Sequence, residues 1–205
     1  MKIEVLKSKQ KEILPYLYSF AEFRLVGGTA LALQLGHRTS VDFDLFTEKD
    51  LPKGLVTKVK RVFRGSKVLQ SINLPEQQSL AVDGVKIDFV SHKFPFILEP
   101  LVFQKLKMAQ ISEIAVMKAF TLNFRGTYKD YVDLYFILKE GYSSLGQILE
   151  IGEKKYGDEF NFRLFLEQLL YIEETRRTEI EFLRGDVTEE EIKKFFKQEI
   201  SQLKL

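Results

Sequence analysis

The sequence predicts an α+β fold, with a mixed β-sheet domain flanked by helices over residues 1–98 and a helical domain over residues 99–205. Three observations predict it. Apolar residues alternate in short runs up to about residue 90, then recur at helical spacing to the end. Asp83-Gly84 sits between two apolar runs, a two-residue hairpin signal. A chain of 205 residues that is 45% hydrophobic, with 18 Phe and 8 Tyr, can fill a sizeable core.

Taken in order, residues 3–20 read as a helix with Ile3, Leu6, Ile13, Leu14 and Leu17 inward, re-angled near Pro15. Phe23 to Val26 is a strand ending at Gly27 and Gly28, and TALALQL is a short helix closed by Gly36. Val41, Phe43 and Leu45 alternate with Asp42, Asp44 and Phe46, so a strand is expected with the first set in the core. Residues 52–64 read as helix and Val68 to Leu74 as strand; PEQQ turns the chain, and Leu80 to Val82 pairs with Val85 to Val90. Beyond residue 95 the pattern is helical, after FPFILEP has broken the sheet pattern. Ser112 caps a helix over 113–124, Thr127 caps one over 128–139, and three more cover 143–155, 159–176 and 188–203. The Phe and Tyr residues of this half, Tyr131, Tyr135, Phe136, Phe160, Phe162 and Phe165, read as core.

The chemistry concentrates in a few residues. Asp42 and Asp44 stand at i and i+2, so in a strand both carboxylates leave one face, with Cα atoms about 6–7 Å apart. Two such charges repel unless a cation lies between them. Asp88 in VKIDFV repeats the arrangement, with Lys86 on its face, and a neighbouring pair of strands would join three carboxylates in a site for two Mg²⁺ about 3.5–4 Å apart. Asp83 is explained by its turn. Gly27, Gly28 and Thr29 lead into a helix N-terminus, where free N–H groups favour a phosphate. With no Cys and only His37 and His92, a metal must be held mainly by oxygen.

LVGGTALALQLGHRTSVDFDLF resembles the signature of the DNA polymerase β nucleotidyltransferase superfamily, in particular the AbiEii/AbiGii toxin family. EIAVMKAFTLNFRGTYKDYVDLYFIL is similar to that family's helical motif, with Lys118, Arg125, Lys129, Asp130 and Asp133 in the matching positions. The resemblance covers about residues 20–140. It implies a nucleotidyltransferase-like first domain and transfer of NMP from an NTP such as ATP to an acceptor hydroxyl. Asp42, Asp44 and Asp88 would bind Mg²⁺, or Mn²⁺; Lys118 would contact the triphosphate. Arg38 is kept in the family pattern, to contact phosphate or to tie its loop to the metal strand, and Arg125 and Asp130 complete the expected nucleotide site, Asp130 as structural partner or base. Lys118 and Arg125 are seven apart, on one helical face across two turns, with Asp130 and Asp133 at i and i+3 on the next helix able to pair with such cations.

The family further implies an RNA acceptor, with a tRNA 3′ end first, and a toxin with a cognate antitoxin. Leu51 to Pro75 holds six basic residues, Lys53, Lys58, Lys60, Arg61, Arg64 and Lys67, and no acidic one; it is either a solvated helix face or a surface for RNA phosphates. The alternatives are a nucleotidyltransferase acting on a small molecule or a protein, and a noncatalytic binding partner of the same fold. No apolar run approaches the roughly 18–20 residues of a membrane span, and the charged N-terminus is unlike a signal peptide, so a cytoplasmic protein without membrane partners is expected.

Overall fold

The computed structural model describes residues 1–175 and 177–203. They form two compact units, Met1–Ala109 and Gln110–Leu205.

The first unit is built on a sheet whose strands lie in the order β3 (Val68–Asn73), β4 (Gln77–Val82), β5 (Val85–Ser91), β2 (Phe43–Thr47), β1 (Arg24–Val26), β7 (Leu106–Met108) and β6 (Leu101–Phe103). Its central strand is β2, antiparallel to β1 and parallel to β5. β4 joins β5 through the Asp83-Gly84 turn, where both residues have positive φ as such a turn demands, and β3 forms the edge. One face of the central strands carries Leu25, Phe43, Leu45, Ile87 and Phe89, each 0% exposed. The Phe20 and Phe23 rings pack on Phe89 at 5.0 and 5.1 Å. Helix α2 (Gly27–Leu35) connects β1 to β2; Ala30 to Leu33 are all fully buried, which explains its lack of a polar face.

Three expectations are corrected here. Val41 is 41% exposed rather than in the core, because β2 begins at Phe43. Residues 3–20 form a 3-10 turn at Ile3–Val5, helix α1 (Ser8–Ile13) and a second 3-10 turn at Leu14–Ser19 that starts with Pro15 in its first turn, where a missing N–H costs nothing. The chain past residue 95 is not all helical: β6 (Leu101–Phe103) and β7 (Leu106–Met108) form a hairpin, and β7 pairs parallel with β1, so the sheet unit runs to Ala109. Helix α3 (Leu55–Val62) and the strand register otherwise follow the hydrophobic pattern.

The second unit contains α4 (Ile111–Leu122), α5 (Tyr128–Lys139), α6 (Leu145–Tyr156), α7 (Phe162–Gln168) and α8 (Glu189–Gln202). Gln110, not Ser112, precedes α4, and the Ser112 hydroxyl donates instead to the Tyr142 carbonyl at 3.1 Å. Thr127 does begin α5: its N–H and hydroxyl both donate to Asp130 Oδ2, at 3.1 and 2.7 Å. The helix expected over 159–176 is shorter, with a 3-10 turn at Ile172–Glu174, and Arg176 lies outside the described residues. Tyr131, Tyr135, Phe136, Phe160 and Phe165 are buried in this unit, as core residues should be, whereas Phe162 is only half-buried. A fully buried pair, Lys155 Nζ to Glu113 Oε1 at 2.7 Å, joins α6 to α4.

Candidate active site

Strand register brings the first acidic residues together. Asp44 on β2 lies beside Asp88 on β5, and parallel neighbours in register point to the same face about 4.8 Å apart. That face is opposite the one carrying Phe43, Leu45, Ile87 and Phe89. Asp42 lies immediately before β2 begins. On the other side of Asp88 is fully buried Ser79 of β4, and on the other side of Asp44 is Val26, the last residue of β1.

The turn after β1 is shaped around Asp44. Gly27 has φ +67°, and a Cβ there would overlap the Asp44 carboxylate, so only glycine lets the backbone come this close. A Cβ on Gly28 would stand 2.7 Å from an Arg38 guanidinium nitrogen. Arg38 is 3% exposed and donates to the Thr39 carbonyl at 2.9 Å, bracing the loop that leads to the acidic strand. Buried Thr29 bonds the Ser40 hydroxyl at 2.7 Å and donates to the Asp42 carbonyl, which pins the entry to β2. His37 is fully buried, and His92 lies in a loop with its ring 5.4 Å from that of Phe46.

Asp88 is 7% exposed, and its two oxygens differ. Oδ2 accepts from Lys86 Nζ at 2.6 Å, whereas Oδ1 is buried without a hydrogen-bond partner. The bond to Asp88, with the nearby charges of Asp88, Asp42 and Asp44, holds the Lys86 ammonium above its usual pKa despite partial burial. Sequence reasoning noted that Lys86 shares a face with Asp88 but assigned it no role. Among the described residues no three His, Cys, Asp or Glu side chains stand as a ready-made ion cage. The donors nevertheless fit a hard divalent cation: all are carboxylate oxygens, and the orphaned Oδ1 is a buried anionic group that a cation would satisfy.

The helical unit holds the second motif. Lys118 on α4 is 8% exposed and its Nζ contacts Asp130 at 2.8 Å and Asp133 at 2.7 Å, both on α5. The expected pairing between these helices is therefore present. Burial pushes the Asp130 carboxyl up, but the Lys118 charge and the hydrogen bonds from Lys118 and Thr127 outweigh it and leave the group below its usual range. Arg125 does not share a helical face with Lys118, because α4 ends at Leu122; it lies exposed in the loop before α5.

Lys53, Lys60, Arg61, Arg64 and Lys67 are exposed on and around α3, while Lys58 bridges to Glu22 at 2.8 Å. Among the described residues no helix is long and apolar enough to cross a membrane.

Comparison with known proteins identifies the family and the fold. Residues 14–204 match the model of the family described as nucleotidyl transferase AbiEii toxin, type IV toxin–antitoxin system. An uncharacterized protein of Aquifex aeolicus (strain VF5) is 30% identical over 202 residues, covering 96% of this chain and 97% of that one. Among solved structures, MenT4, the nucleotidyltransferase toxin Rv2826c of Mycobacterium tuberculosis H37Rv, superposes with a TM-score of 0.59 at 16% identity, over 96% of this chain and 83% of that one. JHP933 of Helicobacter pylori gives a TM-score of 0.54 at 17% identity, over 96% and 97% of the two chains. At these identities the solved structures speak for the fold.

Proposed function

The chain belongs to the AbiEii nucleotidyltransferase toxin family, and on that premise we propose that it transfers NMP from an NTP to an RNA hydroxyl in a metal-dependent reaction. The observation that carries this reading is the register of Asp44 with Asp88 beside the Gly27 turn. Asp42, Asp44 and Asp88 would hold the cations, two Mg²⁺ first and Mn²⁺ as substitute. Bound there, the metal neutralises the triphosphate and lowers the pKa of the acceptor hydroxyl.

The chain's own residues position the rest. Free N–H groups at the start of α2, from Gly27 and Gly28 onward, favour a phosphate. Thr29 and Arg38 fix that turn and the entry to β2. Lys118 is the proposed contact for the triphosphate, its ammonium oriented by Asp130 and Asp133, with Arg125 as a further cation. Asp130 is structural in this reading, since both of its oxygens already accept hydrogen bonds. The acceptor oxygen attacks the α-phosphorus in line and gives its proton to the Asp88 carboxylate, the bond to the bridging oxygen breaks, and pyrophosphate leaves.

The exposed basic residues around α3 support an RNA acceptor, a tRNA 3′ end being the first choice, and the toxin family supports a cognate antitoxin as partner. Such RNA binding weakens steeply with salt. Asp42→Asn or Asp44→Asn should lower incorporation of labelled nucleotide at least about a hundredfold while the circular dichroism spectrum and melting temperature stay near wild type. Full activity in either variant would contradict the assignment. Label recovered in protein or small molecules, with RNA unlabelled, would move the acceptor to that class.

A further inference from the structure

Lys86 lies two residues before Asp88 on β5, on the same face, and its ammonium is bonded to Asp88 Oδ2 at 2.6 Å. In the parallel register of β2 and β5, Phe43 stands beside Ile87, so Lys86 comes one step earlier, next to the point where Asp42 enters the strand. We propose that Lys86 is a built-in counter-cation of the acidic site, which competes with the divalent ion for Asp88 and leaves the carboxylate when metal binds. The inference rests on the metal-site reading above.

Three features carry it. The two partners are unequally held: the Lys86 side chain is 47% exposed and that of Asp88 10%, so the long lysine stem can swing into solvent while the carboxylate stays. The ammonium occupies only half of Asp88, since Oδ1 is buried and has no hydrogen-bond partner. A buried carboxylate oxygen without a partner is a group that a second cation contact would satisfy. Finally, Asp44 lies in register beside Asp88, and Asp42 precedes Phe43, whose partner is Ile87, so more than one carboxylate stands near the single ammonium. One ammonium therefore serves a cluster of carboxylates that a divalent ion would serve better, because doubled charge and several oxygen ligands replace one charge and its hydrogen bonds. Its effect is to lessen repulsion in the metal-free protein and to weaken metal binding.

The test uses metal-stripped, full-length protein and Mn²⁺ alone, with free Mn²⁺ followed by electron paramagnetic resonance. Wild type, Lys86→Met, Lys86→Arg and Asp88→Asn are titrated, and melting is recorded with and without metal. Lys86→Met should bind Mn²⁺ roughly tenfold more tightly than wild type. It should melt lower in chelator but alongside wild type when Mn²⁺ is saturating. Lys86→Arg, which keeps the charge, should stay near wild type, and Asp88→Asn should lose affinity. Unchanged or weaker binding by Lys86→Met, or tightened binding by Lys86→Arg, overturns the role of Lys86 and leaves the metal site standing. Absence of Mn²⁺ binding by wild type overturns the metal site itself, and this inference with it.

Discussion

Asp44 is confined by its neighbours: the Gly27 turn presses on its carboxylate, Asp88 stands beside it, and Phe43 and Leu45 anchor the strand in the core. Gly27 is thus the residue where backbone and chemistry are most closely coupled. Gly27→Ala would place a side chain at positive φ, costing about 1–2 kcal/mol, and would push the carboxylate aside. The expected outcome is a modest drop in urea stability with a loss of nucleotide incorporation of about a hundredfold. Equal activity at lowered stability would show that the close approach is incidental to chemistry. That Asp44 and Asp88 leave their strands on the face opposite the core is legible in the alternation of each strand, whereas their pairing in register is a product of the sheet. The burial of Arg38 and His37 was not, because it arises from the loop folding onto α2, which no local pattern encodes.

At the scale of elements, α4 and α5 are joined by the Lys118 ammonium and two carboxylates, one of them, Asp133, fully buried. Removing the cation leaves buried negative charge, so Lys118→Met should destabilise the protein by about 3–5 kcal/mol at neutral pH. The Asp130 pKa is lowered by folding, so its contribution is present above the unfolded value of about 3.9 and is lost as pH falls through the lower folded value. Asp130→Asn should therefore be less stable than wild type at pH 7, with the gap closing in acid below about pH 4 in urea titrations. A gap that stays constant with pH would contradict this charge pairing. The pairing itself could be read from spacing, Asp130 and Asp133 being one turn apart. The end of α4 could not: the helical pattern runs on to Phe124, but the exposed Phe124 and Arg125 belong to the connection.

At the scale of the whole molecule, the order of a sheet unit and then a helical unit follows from the change in hydrophobic period. The β6–β7 hairpin escaped notice for a physical reason. Its strands are three residues each, too short to show alternation, and its turn places Gln104 at φ +55° where glycine or asparagine would have signalled it. The Lys155–Glu113 pair was also hidden, since its residues are 42 apart in sequence and each alone reads as surface. What the molecule does as a whole is tested most directly by offering it each labelled nucleoside triphosphate with Mg²⁺ and total cellular RNA and protein, then separating the fractions. Label from at least one nucleotide should enter RNA, be removable by a 3′ exonuclease, and vanish with Asp44→Asn. No transfer from any nucleotide to any fraction, by folded wild-type protein with metal present, would contradict nucleotidyl transfer itself.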